Sequence, residues 1–111
     1  MRLQSHIWIS AFMKKEMADG CYSTIIRKGA SEAGAIFVVH NHLDGTCSVY
    51  SQAPQAIFAD EPDLDRRFEK VQDHVAEDQA AEWLGKQSSF DPDCWIVETE
   101  RKNGTPDLLV I

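Results

Sequence analysis

The feature that most constrains the fold is a pair of β-favouring runs separated by one turn signal. The runs cover residues 35–42 and 46–52, and Asp44-Gly45 lies between them. An Asp-Gly pair tolerates the positive φ angles of a two-residue type I′ turn, so the pattern predicts a β-hairpin. In that register residue numbers that sum to 89 face each other, which places Cys47 opposite His42.

Two segments have the apolar spacing of amphipathic helices. The first runs from Ser5 to Met17, with Trp8 on its apolar face and Glu16 on its polar face, and the Ser5 hydroxyl is placed to cap it. The second covers residues 76–88 and ends before Pro92, because the residue before a proline avoids the helical conformation.

Three further segments complete the pattern. Cys21 to Lys28 is rich in β-favouring residues and ends at a glycine, which predicts a strand. Residues 66–75 fit either a strand or a helix. Trp95 to Glu100 alternates as a strand does, and Asn103-Gly104 predicts a second hairpin that returns along residues 108–111.

These elements predict the α+β class. We expect a largely antiparallel sheet built from two hairpins and packed against the N-terminal helix and the helix near residues 76–88. A chain of 111 residues is long enough to bury a core without disulfides or metals, so residues 1–111 are expected to form a single domain.

The charge balance restricts the class of partner. There are 11 basic and 18 acidic residues, which gives a net charge of -7 and argues against nucleic acid binding. Near the N-terminus, the apolar runs are too short to span a membrane, so no membrane partner is expected. Cys21, Cys47 and Cys94 have no C-x-x-C spacing, which favours reduced thiols and a cytoplasmic location.

A candidate metal site lies at the tip of the first hairpin. His40 and His42 share one face of their strand, and the predicted register adds Cys47 to that face. Two imidazoles and a thiolate could hold zinc and leave a fourth position open. The competing interpretation is a solvated hairpin tip with ordinary polar residues. We therefore keep a small metal-binding protein or metal-dependent enzyme as the alternative function and expect no other cofactor.

Two other features could bind a ligand or partner. The basic pairs Arg27-Lys28 and Arg66-Arg67 would form an anion site if the fold brought them together; otherwise they are solvated strand ends. Trp8 is either a core residue or an aromatic anchor on a partner or dimer surface.

Several stretches together resemble an uncharacterised family of short bacterial proteins, domain-of-unknown-function family 1491. They include Arg27-Lys28-Gly29, residues 32–38, and above all Phe90-Asp91-Pro92-Asp93 followed by Trp95-Ile96-Val97-Glu98. The resemblance covers nearly the whole chain and implies no activity or catalytic residue.

The sequence has no activated serine, phosphate-binding glycine loop or H-E-x-x-H helix, so no reaction is indicated. We therefore expect a non-catalytic module that binds a protein partner or a second copy of itself.

Overall fold

Two helices and six strands make up the fold of the computed structural model, which describes residues 4–53 and 66–111. Both predicted helices are confirmed, and the ambiguous segment after residue 66 is a strand. The elements are α1 (Ser5–Ala18), β1 (Tyr22–Arg27), β2 (Ile36–Asn41), β3 (Thr46–Gln52), β4 (Arg67–Ala76), α2 (Glu77–Phe90), β5 (Trp95–Glu100) and β6 (Leu109–Val110). None of the described helices is long and apolar enough to cross a membrane.

The six strands form one mixed sheet in the order β1-β5-β2-β3-β4-β6. β5 lies antiparallel to β1 and parallel to β2, and β6 lies parallel to β4. The α+β class is therefore correct, but the second predicted hairpin is wrong. Because β1 and β2 occupy both edges of β5, the chain after Glu100 cannot fold back onto it and crosses instead to β4.

The first hairpin is confirmed, but its predicted register is wrong by one residue. Asn41 lies opposite Cys47, and the connection is a four-residue loop, with positive φ at Leu43 and Gly45. The Asn41 side-chain oxygen accepts from the Leu43 amide at 2.9 Å, and the Asp44 carboxylate accepts from the Thr46 amide at 3.0 Å. These side-chain bonds stabilise the wider loop in place of a two-residue turn.

Each face of the sheet packs against one helix. We call them the α1 face and the α2 face. On the α1 face, side chains of α1 pack on the inward residues of the strands; this cluster comprises Trp8, Ile9, Phe12, Ile36, Val38, Tyr50, Phe68, Trp95 and Val97. The α2 face holds a second cluster of Phe37, Val39, Cys47, Val49, Ala80, Leu84, Cys94 and Ile96. Consecutive residues of β2 alternate between the two clusters, as a strand buried on both sides requires.

The loop after β1 and the turn before β5 are packed closely together. The Ala30 amide donates to the Asp93 carbonyl at 2.9 Å, and the Trp95 indole Nε1 donates to the Ala30 carbonyl at 2.7 Å. A Cβ atom on Gly29 or Gly34 would overlap that same Asp93 carbonyl oxygen. Both stretches include residues on which the family resemblance rests, and their contact accounts for the glycines at 29 and 34 and for Trp95.

Ser5 does not cap α1, contrary to the prediction. Gln4 precedes the helix, and the buried Ser5 hydroxyl donates to the Gly34 carbonyl at 2.6 Å. Ser5 thus ties the first turn of the helix to the loop between β1 and β2.

Candidate functional site

Three histidine rings lie in contact at the end of the α1 face, and we call them the histidine cluster: His40, His42 and His74. Ring centroids are 4.0 Å apart between His40 and His42 and 3.8 Å apart between His42 and His74. His40 Nε2 donates to the Arg101 carbonyl at 2.7 Å, and His42 Nε2 donates to the Ser48 hydroxyl at 2.8 Å. Two of the three rings are therefore held by Nε2 bonds to other strands or loops.

A bulge in β4 brings His74 into the cluster. Val75 pairs with Cys47 and Gln72 pairs with Val49, so two residues of β4, Asp73 and His74, face Ser48. His74 has a φ of 50°, a left-handed conformation that is uncommon for a residue other than glycine. Its amide donates to the Ser48 hydroxyl at 3.1 Å, and that hydroxyl in turn donates to Asp73 at 3.3 Å.

The environments of His40 and His42 favour their uncharged forms. Burial lowers the pKa of His40, although its bond to the Arg101 carbonyl opposes the shift. Burial also lowers the pKa of His42, and the charges of His40 and His74 lower it further. At neutral pH the contact between His40 and His42 is therefore one between neutral rings.

Cys47 does not join the two histidines, so the predicted set of three metal ligands is not assembled. The one-residue change of register places Cys47 beside Asn41 on the α2 face, whereas His40 lies opposite Ser48 on the α1 face. Burial also raises the pKa of the Cys47 thiol to about 11, which disfavours the thiolate that a metal requires. Among the described residues, no group of three or more His, Cys, Asp or Glu side chains is placed to hold a metal ion.

Trp8 is a core residue and not a surface anchor. Its side chain is only 8% exposed, and its ring stacks on Phe12 with the centroids 5.3 Å apart. Phe68 of β4 contacts the same ring at 5.2 Å. Trp8 also lines a cavity of about 210 Å³ beside Ala11 and Lys15, but its low exposure leaves little of the ring for a protein partner to contact.

The two basic pairs are not brought together. Arg27 lies on β1 and Arg67 on β4, and the strand order puts three strands between them, a separation of about 19 Å. Arg27 Nη2 donates to the Pro92 carbonyl at 2.8 Å, and Arg66 Nη2 donates to the Ser5 hydroxyl at 3.1 Å. Arg27 and Arg66 thus support the local structure, and the four residues including Lys28 do not form one anion site.

The outer edge of β1 is exposed and carries large apolar side chains. β1 pairs with β5 on one side, and no strand of the described ranges pairs with its other side. Tyr22, Ile25 and Ile26 are 64%, 43% and 56% exposed. An edge strand with unpaired backbone groups and exposed apolar side chains is a template for pairing with another strand.

Charge is distributed unevenly along this edge. Arg27 and the exposed Lys28 lie where β1 ends. Near its start lie the exposed Asp19, which pairs with Arg101 at 2.7 Å, and the half-buried Glu100, which is directly opposite Tyr22 on β5. The edge therefore has a basic end at Arg27 and Lys28, and at its other end the Glu100 carboxylate lies near the Asp19–Arg101 ion pair.

Comparisons with known proteins identify the family. The sequence profile of DUF1491, described as a protein of unknown function, matches residues 3–109. The chain belongs to the DUF1491 family. A comparison with functionally curated proteins gave no match.

Two solved structures show how closely the fold of this DUF1491 protein is shared. The solution structure of protein Atu0922 from A. tumefaciens is 37% identical, with a TM-score of 0.86, and the match covers 100% of this chain and 96% of that one. The crystal structure of a DUF1491 family protein from Caulobacter crescentus CB15 is 25% identical, with a TM-score of 0.81, and the match covers 100% of this chain and 99% of that one.

Sequence reasoning missed the β1 edge of this DUF1491 protein, although it located the strand. One local signal was present: Ile25 and Ile26 are adjacent apolar residues, so at least one of them had to lie outside a single buried face. Whether a strand is central or at an edge depends on strand order, which the local pattern does not contain.

Proposed function

We propose that this DUF1491 family protein is a non-catalytic module that self-associates through the free edge of β1. The observation that carries the proposal is that β1 is paired on one side only and has three exposed apolar side chains, Tyr22, Ile25 and Ile26. Antiparallel pairing of two β1 edges would extend the sheet across a two-fold axis and satisfy the outward backbone groups of both copies.

The charges along β1 favour a second copy as the partner. In an antiparallel pair, Arg27 and Lys28 of one copy come near Asp19 and Glu100 of the other, and the two-fold axis repeats this contact. A parallel arrangement would instead place like charges together. The edge is therefore complementary to itself, whereas its mixed charges do not select a strongly acidic or strongly basic partner.

The side chains that the sequence suggested as metal ligands support a binding role over a catalytic one. His40 and His42 are engaged in structural hydrogen bonds, and the Cys47 thiol is buried with a raised pKa. The free cysteines Cys21, Cys47 and Cys94 support the cytoplasmic location that we also propose. In this proposal residues 1–111 act as one domain.

The test is the solution mass of the protein over a range of concentrations, measured by sedimentation equilibrium. A six-residue strand contact is smaller than the standard interface of about 800 Å² per partner, so we expect a reversible monomer–dimer equilibrium. The mass should rise from the monomer value of 12.5 kDa towards twice that value as concentration increases.

A charge on the edge should abolish the dimer. Ile25→Lys places an ammonium group at the centre of the pairing, where it would be desolvated and would face its own copy. The matched control is Val71→Lys, which puts the same charge on an exposed position of β4. Circular dichroism should show both variants folded. A wild-type chain that stays monomeric up to millimolar concentration, or an Ile25→Lys variant that dimerises as the wild type does, contradicts the proposal.

A further inference from the structure

A cavity of about 400 Å³ lies on the α2 face between α2 and the β1 side of the sheet. Its floor is formed by Val39, Cys47 and Ile96, and Ile26 forms the wall opposite the helix. This volume is within the range of sites that hold small organic molecules. The floor residues are buried and apolar, so a bound molecule would present hydrocarbon to them.

The helix wall of the cavity is built from small side chains. Ala80, Ala81, Gly85 and Ser88 line it together with Leu84. Apart from its neighbours along the helix, a Cβ atom built on Gly85 would have no atom within 4 Å, so the space beside the helix is open. The opening is therefore maintained by the residues of α2 themselves.

Two carboxylates stand among the lining residues. Glu98 of β5 and Glu77 at the start of α2 both line the cavity, and Asn41 donates to Glu77 Oε1 at 3.2 Å. Burial raises the pKa of Glu98; a hydrogen bond from Asn41 opposes that rise, while the charges of Glu100 and Glu77 add to it. No basic side chain is among the described residues that line the cavity. The negative charge at this site therefore has no positive partner within the cavity wall.

We propose that this cavity binds a small apolar molecule that carries one protonated amine. The hydrocarbon part occupies the space between Ile96 and Leu84, and the ammonium group pairs with Glu98 and Glu77. Such a ligand satisfies both properties of the cavity, because it buries apolar surface and neutralises a carboxylate that burial disfavours. A neutral molecule would satisfy only the first property, and an anion would be repelled.

Three probes of similar shape separate these contributions: phenethylamine, phenethyl alcohol and hydrocinnamate. Binding to the full chain is followed by amide NMR, with the shift changes mapped onto the residues of α2 and β5. Because a charge-assisted bond is stronger than a neutral one, phenethylamine should bind at least about tenfold more tightly than the alcohol. Hydrocinnamate should bind more weakly than either.

Two variants and one control assign the effect to the cavity. Glu98→Gln should weaken amine binding by about tenfold and leave alcohol binding unchanged. Gly85→Leu should fill the space and remove binding of all probes, while the leucine favours the helical conformation and keeps the chain folded. Glu100→Gln is the control, because Glu100 is a neighbouring carboxylate that is not among the described lining residues.

The two test variants, Glu98→Gln and Gly85→Leu, lie outside the proposed β1 interface, so their outcomes are distinct from those of the self-association test. Equal affinity for the amine and the alcohol, an equal loss in Glu98→Gln and Glu100→Gln, or shift changes confined to the α1 face would each overturn the proposal. So would the absence of any shift change at millimolar probe.

Discussion

Glu16 is a fully buried carboxylate on α1, and it joins the helix to the C-terminal part of the chain. Thr99 Oγ1 donates to it at 2.7 Å and Arg101 Nε at 3.1 Å, and the Asp107 amide donates at 3.3 Å. A buried carboxylate is tolerated when its oxygens are fully bonded and a guanidinium balances its charge. The four groups therefore form one unit in which each member satisfies the others.

Replacing Glu16 by alanine should strongly destabilise the protein. The change leaves the Arg101 guanidinium, which is only 11% exposed, without its buried counter-charge. Breaking one side of a buried ion pair costs about 3 kcal/mol or more. We expect the free energy of unfolding, measured by urea titration with circular dichroism, to fall by that amount.

Asp19→Ala is the matched control, because Asp19 also pairs with Arg101, at 2.7 Å, but is 57% exposed. Solvent screening limits such a pair to less than about 1 kcal/mol. If the two variants lose similar stability, the buried network does not have the role described.

The sequence could not place Glu16 correctly. Its position beside Lys14 and Lys15 predicts the exposed face of α1, whereas Met17, expected on the apolar face, is 72% exposed. The residues that make burial possible, Thr99 and Arg101, are more than 80 positions away along the chain. A local apolar pattern contains no information about so distant a partner.

At the scale of elements, the junction between the β1–β2 loop and the turn before β5 depends on two glycines. Gly29 and Gly34 both face the Asp93 carbonyl oxygen at a distance that leaves no room for a Cβ atom. An added methyl group must push the backbone of one stretch away from the other, which also strains the Trp95 bond to Ala30.

Gly29→Ala and Gly34→Ala should each lower the free energy of unfolding by about 1–3 kcal/mol, as overpacking does elsewhere. The control is Gly85→Ala, where the new methyl group meets open space in α2. That change should stabilise the protein by about 0.5–1 kcal/mol, because alanine favours the helix. Thermal unfolding of the three variants measures both the expected loss of stability at Gly29 and Gly34 and the expected gain at Gly85. A destabilising effect at Gly85 or a neutral one at Gly29 and Gly34 would refute this account.

Elements were predictable from the sequence, whereas several of their pairings were not. Periodicity located α1, α2, β1, β2, β3 and β5 within a few residues, since each buries a face of regular spacing. The hairpin register failed because Asn41 and Asp44 bond to the loop backbone and widen it. That one-residue change of register places Cys47 on the α2 face, so Cys47 does not share a face with the histidines of the predicted metal site. The parallel pairing of β5 with β2 joins segments far apart in the chain, and the local sequence pattern of neither strand predicts it.

For the whole molecule, His40 and His42 should make stability depend on pH. The pKa values of His40 and His42 lie below 6.5 in the folded state, so the unfolded chain binds more protons as the pH falls through that value. The stabilisation is complete above about pH 6.5 and decreases below it. Each excess proton on the unfolded state gives a slope of about 1.4 kcal/mol per pH unit.

Chemical unfolding between about pH 5 and 7 measures this slope above the range in which ordinary carboxylates titrate. His42→Gln should flatten it, because the amide can still donate to Ser48 but does not gain a proton. His6→Gln, outside the cluster, serves as the control. A wild-type stability that is constant over the window, or equal slopes in wild type and His42→Gln, would show that the cluster is not the source.

The position of β5 between β1 and β2 also has a consequence during synthesis. When β1 and the β2–β3 hairpin leave the ribosome, the strand that must separate and join them has not been translated. The nascent chain therefore presents incomplete β structure until residues 95–100 emerge, and only then can Tyr22 meet Glu100. The sheet can therefore be completed only after residues 95–100 have emerged, and until then β1 lacks its β5 neighbour.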